Sequence, residues 1–258
     1  MILQEKPGMD VYSVVQPSVH DRISLDSYKN KNLNILFTFK NSEYKNLKGF
    51  NKTNILIDSG AFHFNFLGRP IKPGELEKFI ETYVKFIKEN RKDSRIKGFF
   101  DLDLLFLPYH EITTLRKMLL DLTPSIIMVY HPKYGLDEFK RMCEQYDNIA
   151  ICNNEDITTN GYSQLVKYAH KKNCYIHGLG INDNRVLNKV PFNSVDSSNW
   201  AMGAIREYYF FTDIPKTPEN NKKYRALYEK KAFLKQLQKQ EHYKKYWSVY
   251  FNLLNQRR

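Results

Sequence analysis

The stretch SIIMVYHPKYGLDEFKRMCEQYDNIAIC, residues 125–152, decides the fold class of this chain. An apolar run at Ser125–Tyr130 precedes a helix-like segment at Leu136–Tyr146, and a second apolar run follows at Asn148–Cys152. Short apolar runs are typical of strands, and a helix between two of them indicates a parallel βαβ unit. The stretch therefore predicts an α/β protein with a parallel sheet.

The same alternation continues on both sides of this stretch. Eight candidate strands within about 180 residues fit a (β/α)8 barrel of the TIM type, somewhat trimmed in size. The candidate strands are Leu33–Phe39, Asn54–Asp58, Ile96–Asp103, Ser125–Tyr130, Asn148–Cys152, Cys174–His177, Asn193–Asp196 and Ala204–Phe211. Helices are predicted at Gly74–Asn90, Thr113–Leu120, Leu136–Tyr146, Tyr162–Lys171 and Asp183–Lys189.

One connection and one rival fold qualify this prediction. The connection at Lys40–Thr53 has a weak helical signal, so the barrel is expected to be distorted there. A doubly wound open sheet is the competing fold. That fold usually carries Gly-x-Gly-x-x-Gly after its first strand, and this chain has no such motif there.

Positive charge is concentrated near the end of the chain. The net charge is +12, and residues 216–258 hold 12 Lys/Arg against 3 Asp/Glu, whereas the rest holds 28 against 25. Basic side chains among aromatic ones are typical of surfaces that bind a phosphate backbone and unstacked bases. The alternative is an amphipathic helix whose aromatics pack on the domain and whose lysines are solvated. The sequence thus divides into a barrel at 1–215 and a basic, aromatic-rich helical appendage at 216–258.

The candidate backbone-binding residues follow from this charge and from the hydroxyls near the last predicted site strand. They are Ser197, Ser198, Lys222, Lys223, Arg225, Lys230, Lys231, Lys244 and Lys245.

Cysteine usage and hydropathy set the expected environment. The cysteines Cys143, Cys152 and Cys174 form no close pair and show no metal-ligand spacing with histidine, so neither a metal nor another cofactor is predicted. A sparse, odd number suits a reducing cytoplasm. The first residues lack the apolar core of a signal peptide, and no apolar run approaches the ~20 residues of a membrane span. A cytoplasmic location without membrane contact is the expectation.

Carboxylates follow the predicted strands at the end where barrel enzymes place their active sites. Asp58 ends the second candidate strand, and Asp196 ends the seventh. Asp101 and Asp103 are two residues apart, so both are predicted to face one side of their strand. Two acids suffice for displacement at a sugar carbon, because one can attack and the other can transfer a proton.

Each of these residues also has a structural interpretation. Asp58 is about equally typical of a helix N-cap, and Gly60, Gly178 and Gly180 are typical of tight turns. His131 by itself is more typical of a structural histidine. The sequence contains no Gly-x-Ser-x-Gly elbow and no Gly-x-x-x-x-Gly-Lys-Ser/Thr loop. Carboxylate chemistry therefore remains, either nucleophilic or acid–base.

Several short motifs in this order resemble the tRNA-guanine transglycosylase superfamily, whose barrel enzymes exchange guanine for a 7-deazaguanine. The motifs are Asp58-Ser59-Gly60-Ala61-Phe62, Phe100-Asp101, Ile127–His131, Asn148–Ile151, His177-Gly178-Leu179-Gly180 and Phe192–Asp196. The resemblance implies that Asp196 is the covalent nucleophile and that Asp58 transfers the proton. It also implies a base-binding set in which Asp101 reads the guanine edge. That set is Ser59, Gly60, Phe62, Asp101, Asp103, Tyr130, His131, Asn153, Gly178 and Gly180.

Departures from the family narrow the resemblance. The zinc site of the tRNA enzymes is absent, Asn153-Asn154 stands where the family has a glycine pair, and His131 stands where it has glutamine. The chain is most similar to the short, zinc-free DNA 7-deazaguanine transglycosylases of phages and genomic islands. The resemblance implies exchange of guanine in DNA for a free 7-deazaguanine through an Asp–sugar intermediate, in the host cytoplasm if the gene belongs to a phage. A tRNA substrate, a base hydrolase and a non-catalytic nucleic-acid-binding barrel are the alternatives.

Overall fold

A closed barrel of eight parallel strands forms the centre of the molecule. The computed structural model describes residues 7–15, 23–40 and 50–256. The strands neighbour one another in chain order, and β8 pairs with β1 to close the barrel. They are β1 (Asp10–Val14), β2 (Leu33–Thr38), β3 (Thr53–Asp58), β4 (Ile96–Phe100), β5 (Ile126–Tyr130), β6 (Asn148–Cys152), β7 (Tyr175–Leu179) and β8 (Ser194–Ser197). The predicted (β/α)8 barrel is confirmed.

Helices cover the outside of the barrel. They are α1 (Glu75–Asn90), α2 (Tyr109–Leu120), α3 (Gly135–Gln145), α4 (Thr159–Lys171), α5 (Asn184–Leu187), α6 (Asn199–Phe210), α7 (Pro218–Tyr246) and α8 (Ser248–Asn255), with short 3-10 helices at Leu25–Tyr28, Ala61–Phe66 and Pro132–Tyr134. The five predicted helices correspond to α1–α5. Residues 41–49 of the weakly predicted connection lie outside the described residues. None of the described helices is both long and apolar enough to cross a membrane.

The eighth strand is not the predicted one. Ala204–Phe211 was expected to be a strand, but Ala204 lies within α6. Trp200, Ala204 and Tyr208 are buried at intervals of four residues, which is the period of a helix face, while Phe211 is 81% exposed. The missing strand is β1, whose sequence DVYSV includes Asp10 and Ser13 and so contains no continuous apolar run. The strand with Asp58 is accordingly the third.

Alternate side chains of each strand serve two separate cores. The interior of the barrel is filled by Tyr12, Leu36, Leu56, Phe100, Ile127, Val129, Ala150 and Tyr175. Their strand neighbours, such as Ile57, Phe99 and Ile151, face outward into a larger core beneath the helices. This alternation determines which polar residues at the strand ends reach the barrel mouth.

The second half of α7 packs along the barrel wall. Phe233 is fully buried against Trp200 and against Tyr28. Further along α7, the Gln240 side chain accepts a hydrogen bond from the Asn34 backbone N–H, at the start of β2. The predicted boundary between residues 215 and 216 falls between α6 and α7. From Phe233 onward, however, α7 contributes to the same buried core as the strands.

The first half of α7 pairs with α6 as an antiparallel hairpin beyond the carboxyl end of the barrel. Trp200, just after β8, contacts Phe233, whereas Tyr208 stacks on Tyr224. Both helices therefore lead away from the strand ends at these contacts. At 1.5 Å per residue, α7 before Phe233 extends for about 22 Å. We call α6 with residues 218–232 the α6–α7 hairpin.

Candidate active site at the carboxyl end of the barrel

The carboxylates of Asp58 and Asp196 share the mouth of the barrel. Asp58 ends β3 two residues after the interior residue Leu56, and Asp196 in β8 lies opposite the interior residue Tyr12 in the β1–β8 register. Strand alternation therefore turns both acids inward. They lie close enough for the charge of Asp196 to raise the pKa of Asp58. The two residues predicted to carry the chemistry are thus brought together, which sequence distance alone does not require.

A chain of hydrogen bonds holds one oxygen of Asp196. The Oδ1 atom accepts from His177 Nε2 at 3.0 Å and from the Gly180 backbone N–H at 2.9 Å. On its other side His177 Nδ1 lies 2.6 Å from Ser194 Oγ, which lies 2.5 Å from the Tyr175 hydroxyl. This order lets His177 donate through Nε2 to Asp196, since Nδ1 can accept from the serine hydroxyl. Within the described residues Asp196 Oδ2 has no hydrogen-bond partner, so it is available to a ligand.

Asp58 has a different environment. Burial is the main cause that raises its pKa from 3.8 to about 6, and the charges of Asp196 and Asp103 raise it further. The hydrogen bond donated by the Gly60 N–H at 2.8 Å opposes this shift. The same bond closes the turn before the 3-10 helix, but the N-cap residue of that helix is Gly60, so Asp58 is not the helix N-cap that its structural interpretation predicted. An acid with this pKa exchanges protons near neutral pH, as a proton-transfer group must.

Aromatic and polar side chains surround these acids. The Phe62 ring, 44% exposed, is parallel to the His131 ring within 6°, with centroids 6.3 Å apart. His131 Nε2 lies 2.6 Å from Asp103 Oδ1 and 3.8 Å from Cys152 Sγ. Burial, together with the nearby acids, raises the pKa of the Cys152 thiol well above its usual value. Phe62, Asp103 and His131 therefore form one wall of the mouth.

Asp101 does not face the mouth, which corrects its predicted role as the reader of the guanine edge. Strand β4 ends at Phe100, whose ring fills the barrel interior, so Asp101 points outward. Its Oδ2 accepts from Arg116 Nε at 2.7 Å, and its Oδ1 accepts from the Val129 N–H at 3.1 Å. Both oxygens are used and the residue is 1% exposed. Asp103 lies beyond the strand, so the predicted shared face of the two acids is also wrong.

Two other predicted base-binding residues are structural in this fold. The Tyr130 ring packs against Phe139 in the outer core, and its hydroxyl donates to the Gly135 carbonyl. It lies one position from the interior residue Val129 and therefore faces outward. The buried hydroxyl of Ser59 donates to the Asp101 carbonyl at 2.8 Å. Neither side chain is placed to contact a ligand in the mouth.

The glycines around the mouth have distinct reasons to be glycine. Gly60 and Gly180 have φ of +65° and +71°, a region that residues with a side chain rarely adopt. Gly178 faces outward, where an added Cβ would come within 3.0 Å of Val195 Cγ1, so packing explains it. Asn153 lies beside Gly180, and its backbone N–H donates to the Leu179 carbonyl.

The predicted backbone-binding residues are divided between the two ends of the barrel. Four exposed lysines lie on the α6–α7 hairpin at the mouth end: Lys222, Lys223, Lys230 and Lys231. Arg225, also on the hairpin, bonds to Glu229. Lys244 is paired with Asp10 at the start of β1, so it and the exposed Lys245 lie toward the opposite end. Ser198 is exposed after β8, whereas Ser197 is buried and accepts from the Asn199 N–H.

Sequence reasoning did not assign His177 or Cys152 to the site. Both belong to predicted strand ends, but His177 was part of a glycine motif and Cys152 an unpaired cysteine. Their positions in the strands could have indicated that both face the barrel interior. His177 lies two residues after the interior residue Tyr175, and Cys152 lies two residues after the interior residue Ala150.

Comparison with known proteins shows the fold. No family model matches the sequence, and no curated protein matches it. Among solved structures, the YdjI aldolase from Escherichia coli K12 is similar over 92% of this chain and 91% of its own, with a TM-score of 0.56 and 10% identity. The fructose-bisphosphate aldolase of Campylobacter jejuni is similar over 96% and 90%, with a TM-score of 0.50 and 12% identity. At these identities the likeness supports the TIM-barrel class alone.

Proposed function

We propose that this protein is a transglycosylase that exchanges guanine in a nucleic acid, DNA in preference to tRNA, for a 7-deazaguanine. The observation that carries the proposal is the pair Asp58 and Asp196 at one barrel mouth in two different environments. Asp58 has a pKa of about 6, suited to proton transfer, and Asp196 is oriented through one oxygen with the other open. Displacement at a sugar carbon needs one acid in each role.

The reaction has two displacements. Asp196 Oδ2 attacks the anomeric carbon of the target nucleotide, the carbon–N9 bond breaks, and the leaving guanine takes a proton from Asp58. The products of this step are free guanine and an ester between Asp196 and the sugar. An incoming 7-deazaguanine then gives its N9 proton to Asp58, and N9 attacks the same carbon. Asp196 leaves as a carboxylate, and Asp58 regains its proton for the next cycle.

The parallel rings of Phe62 and His131 support a site for a flat base. Stacked bases lie about 3.4 Å apart, so a base between two rings needs about 6.8 Å. The two parallel rings have centroids 6.3 Å apart, and Phe62 is exposed, so movement of its ring can open a slot for a base. The target guanine must leave its stack to reach this slot, which costs a few kcal/mol in duplex DNA.

The α6–α7 hairpin supports a polymer as the partner. It extends from the same end of the barrel as the two acids and carries Lys222, Lys223, Lys230 and Lys231 exposed to solvent. Exposed aromatic surface accompanies these lysines, with Phe210 79% and Phe211 81% exposed near the turn of the hairpin. Lysines bind phosphates and aromatic faces stack on bases.

Trapping of the covalent intermediate tests the proposal. The protein is incubated with guanine-containing DNA or with tRNA and analysed on a denaturing gel, and uptake of labelled 7-deazaguanine into each polymer is measured. We expect a protein–DNA adduct and label uptake into DNA, both lost in Asp196→Ala. Asp137→Ala, which changes a carboxylate that is 98% exposed, is the matched control.

Each alternative outcome has a defined meaning. Full base exchange by Asp196→Ala would show that Asp196 is not the nucleophile. Label uptake into tRNA alone would transfer the reaction to RNA, and release of guanine without uptake would indicate a hydrolase. Binding of DNA with neither adduct nor release would favour the non-catalytic barrel.

A further inference from the structure

A second site stands out in the mouth, formed by Asp103, His131 and Cys152. The three residues come from the loop after β4, from the end of β5 and from the end of β6. One carboxylate oxygen, one imidazole nitrogen and one sulfur lie within 4.8 Å of one another. The Asp103 and His131 side chains are 10% and 12% exposed, so the cluster is sheltered but open toward solvent. The proposed nucleophile and proton-transfer acid take no part in it.

The contacts converge on a single nitrogen. Asp103 Oδ1 lies 2.6 Å and Cys152 Sγ lies 3.8 Å from the same atom, His131 Nε2. In a Cys–His–Asp catalytic triad the thiol and the carboxylate bind opposite nitrogens of the imidazole. One proton on Nε2 cannot serve both partners here, so the arrangement does not fit a triad. An oxygen, a nitrogen and a sulfur atom this close together are instead a set that can surround a metal ion.

We propose that Asp103, His131 and Cys152 bind a divalent transition-metal ion, of which Zn²⁺ fits the donors best. Zinc takes sulfur, nitrogen and oxygen ligands at about 2.0–2.3 Å, so ligand atoms around a tetrahedral ion are about 3.4–3.6 Å apart. The nitrogen–sulfur separation is already 3.8 Å. The carboxylate needs to move less than about 1 Å from the imidazole.

The number of ligands indicates the kind of site. Structural zinc sites close all four positions with protein ligands, whereas three ligands with one open position are typical of sites that bind a water or a substrate atom. His131 is also the ring that lies parallel to Phe62, so a ligand held against these two rings lies next to the proposed ion. The ion would accordingly bind an oxygen or nitrogen acceptor of a ligand held in the mouth. This inference concerns metal binding and stands independently of the proposed base exchange.

Cobalt provides a direct probe of the ligands. Full-length protein is treated with a chelator, dialysed and titrated with Co²⁺ alone while its absorption is recorded, and Zn²⁺ alone is titrated in a calorimeter. We expect one ion per chain and a thiolate-to-cobalt charge-transfer band that Zn²⁺ displaces. Cys152→Ser should lose this band, and His131→Ala should weaken Zn²⁺ binding by about tenfold or more.

Matched variants separate this site from other cysteines and histidines. Cys143→Ala removes a buried thiol remote from the mouth, and His110→Ala removes an exposed histidine, so both should bind the ions as the parent protein does. Circular dichroism verifies that each variant is folded. If Cys152→Ser is not folded, Asp103→Asn is used in its place, and it should weaken Zn²⁺ binding in the calorimeter. Absence of stoichiometric binding in the parent protein, or a charge-transfer band that persists in folded Cys152→Ser, would overturn the proposal.

Discussion

Asp58 is held in the barrel mouth at a cost to stability. Its pKa is about 6 in the folded protein, above the 3.8 of an unperturbed aspartate, because burial and neighbouring acids disfavour its charge. Between these two values the folded state binds more protons than the unfolded state, so stability falls as the pH rises. The decrease is complete above about pH 6 and corresponds to up to about 3 kcal/mol.

Replacement of Asp58 by asparagine removes this cost. The asparagine oxygen can still accept the Gly60 N–H, so the turn is retained. We expect Asp58→Asn to be more stable than the parent by up to about 3 kcal/mol at about pH 7.5, and equally stable at about pH 3, below both pKa values. Urea unfolding at the two pH values measures the difference. A stability gain that does not change with pH would show that the charge of Asp58 is not its cause.

Asp101 is predicted to act through the fold and not through a ligand. Arg116→Met leaves the buried carboxylate of Asp101 without a cation, so it should lower the free energy of unfolding by about 3–5 kcal/mol. The double variant Asp101→Leu, Arg116→Met should recover most of that loss, because no uncompensated charge remains. Arg185→Met, at an ion pair whose arginine is 87% exposed, is the control and should have little effect. A stable Arg116→Met variant would return Asp101 to the candidate ligand-binding residues.

At the scale of elements, the basic residues of α7 fall into two groups that the sequence does not distinguish. One group lies on the α6–α7 hairpin, and the other lies at the end of α7. Lys222 and Lys223 lie at the mouth end of the barrel, whereas Lys245 lies near the contact of Lys244 with Asp10 at the other end. Only the first group lies at the same end of the barrel as the proposed active site. Long-range attraction of a polyanion depends on total charge, but contact with a bound strand depends on position.

Charge reversal on the hairpin tests this division. Lys222→Glu with Lys223→Glu should weaken DNA binding and reduce the slope of log K against log salt by about 0.9 for each phosphate that the variant no longer neutralises. The control, Lys52→Glu with Lys245→Glu, makes the same change of charge at exposed positions at the other end of the barrel. Fluorescence anisotropy over a salt series measures both. Equally weakened binding in the two variants would show that net charge, and not the hairpin, determines binding.

At the scale of the whole molecule, α7 is joined to the barrel wall by three interactions. The Gln240 side chain satisfies the Asn34 backbone N–H, Lys244 pairs with Asp10 of β1, and Phe233 fills the outer core. A chain that ends at Lys216 lacks all three interactions. We expect it to show no cooperative thermal transition by circular dichroism, since it exposes core surface and unpaired polar groups. A truncated chain that melts like the parent would show that residues 217–258 are an appendage.

The alternation of strands and helices was readable from sequence over most of the barrel. Seven predicted strands overlap observed ones, because apolar runs such as Asn148–Cys152 are buried on both faces. The strand predicted at Ala204–Phe211 was wrong because apolar and aromatic residues also occur on helices. Only the burial of every fourth residue in the folded protein identifies this segment as a helix. The strand β1 was missed because Asp10 and Ser13 interrupt it.

The candidate site was predictable only in part. Asp58 and Asp196 could be proposed from their positions at strand ends, and the structure places both in the mouth. Asp101 could not be placed correctly, because Phe100 fills the barrel interior and the alternation of the strand turns the next side chain outward, toward Arg116 of α2. The grouping of Asp103, His131 and Cys152 had no local spacing to reveal it, since 28 and 21 residues separate these neighbours.

By itself the sequence determined the fold class and the strand ends that carry acids, because hydrophobic periodicity and residue type are local properties. The tertiary structure decided which of those acids face the mouth, which are held by cations, and which basic residues share their end of the barrel. These properties depend on strand register and on contacts between residues far apart in the chain. For that reason Asp196, Asp101 and Lys244, each a charged residue in a plausible place, have different surroundings in the folded protein.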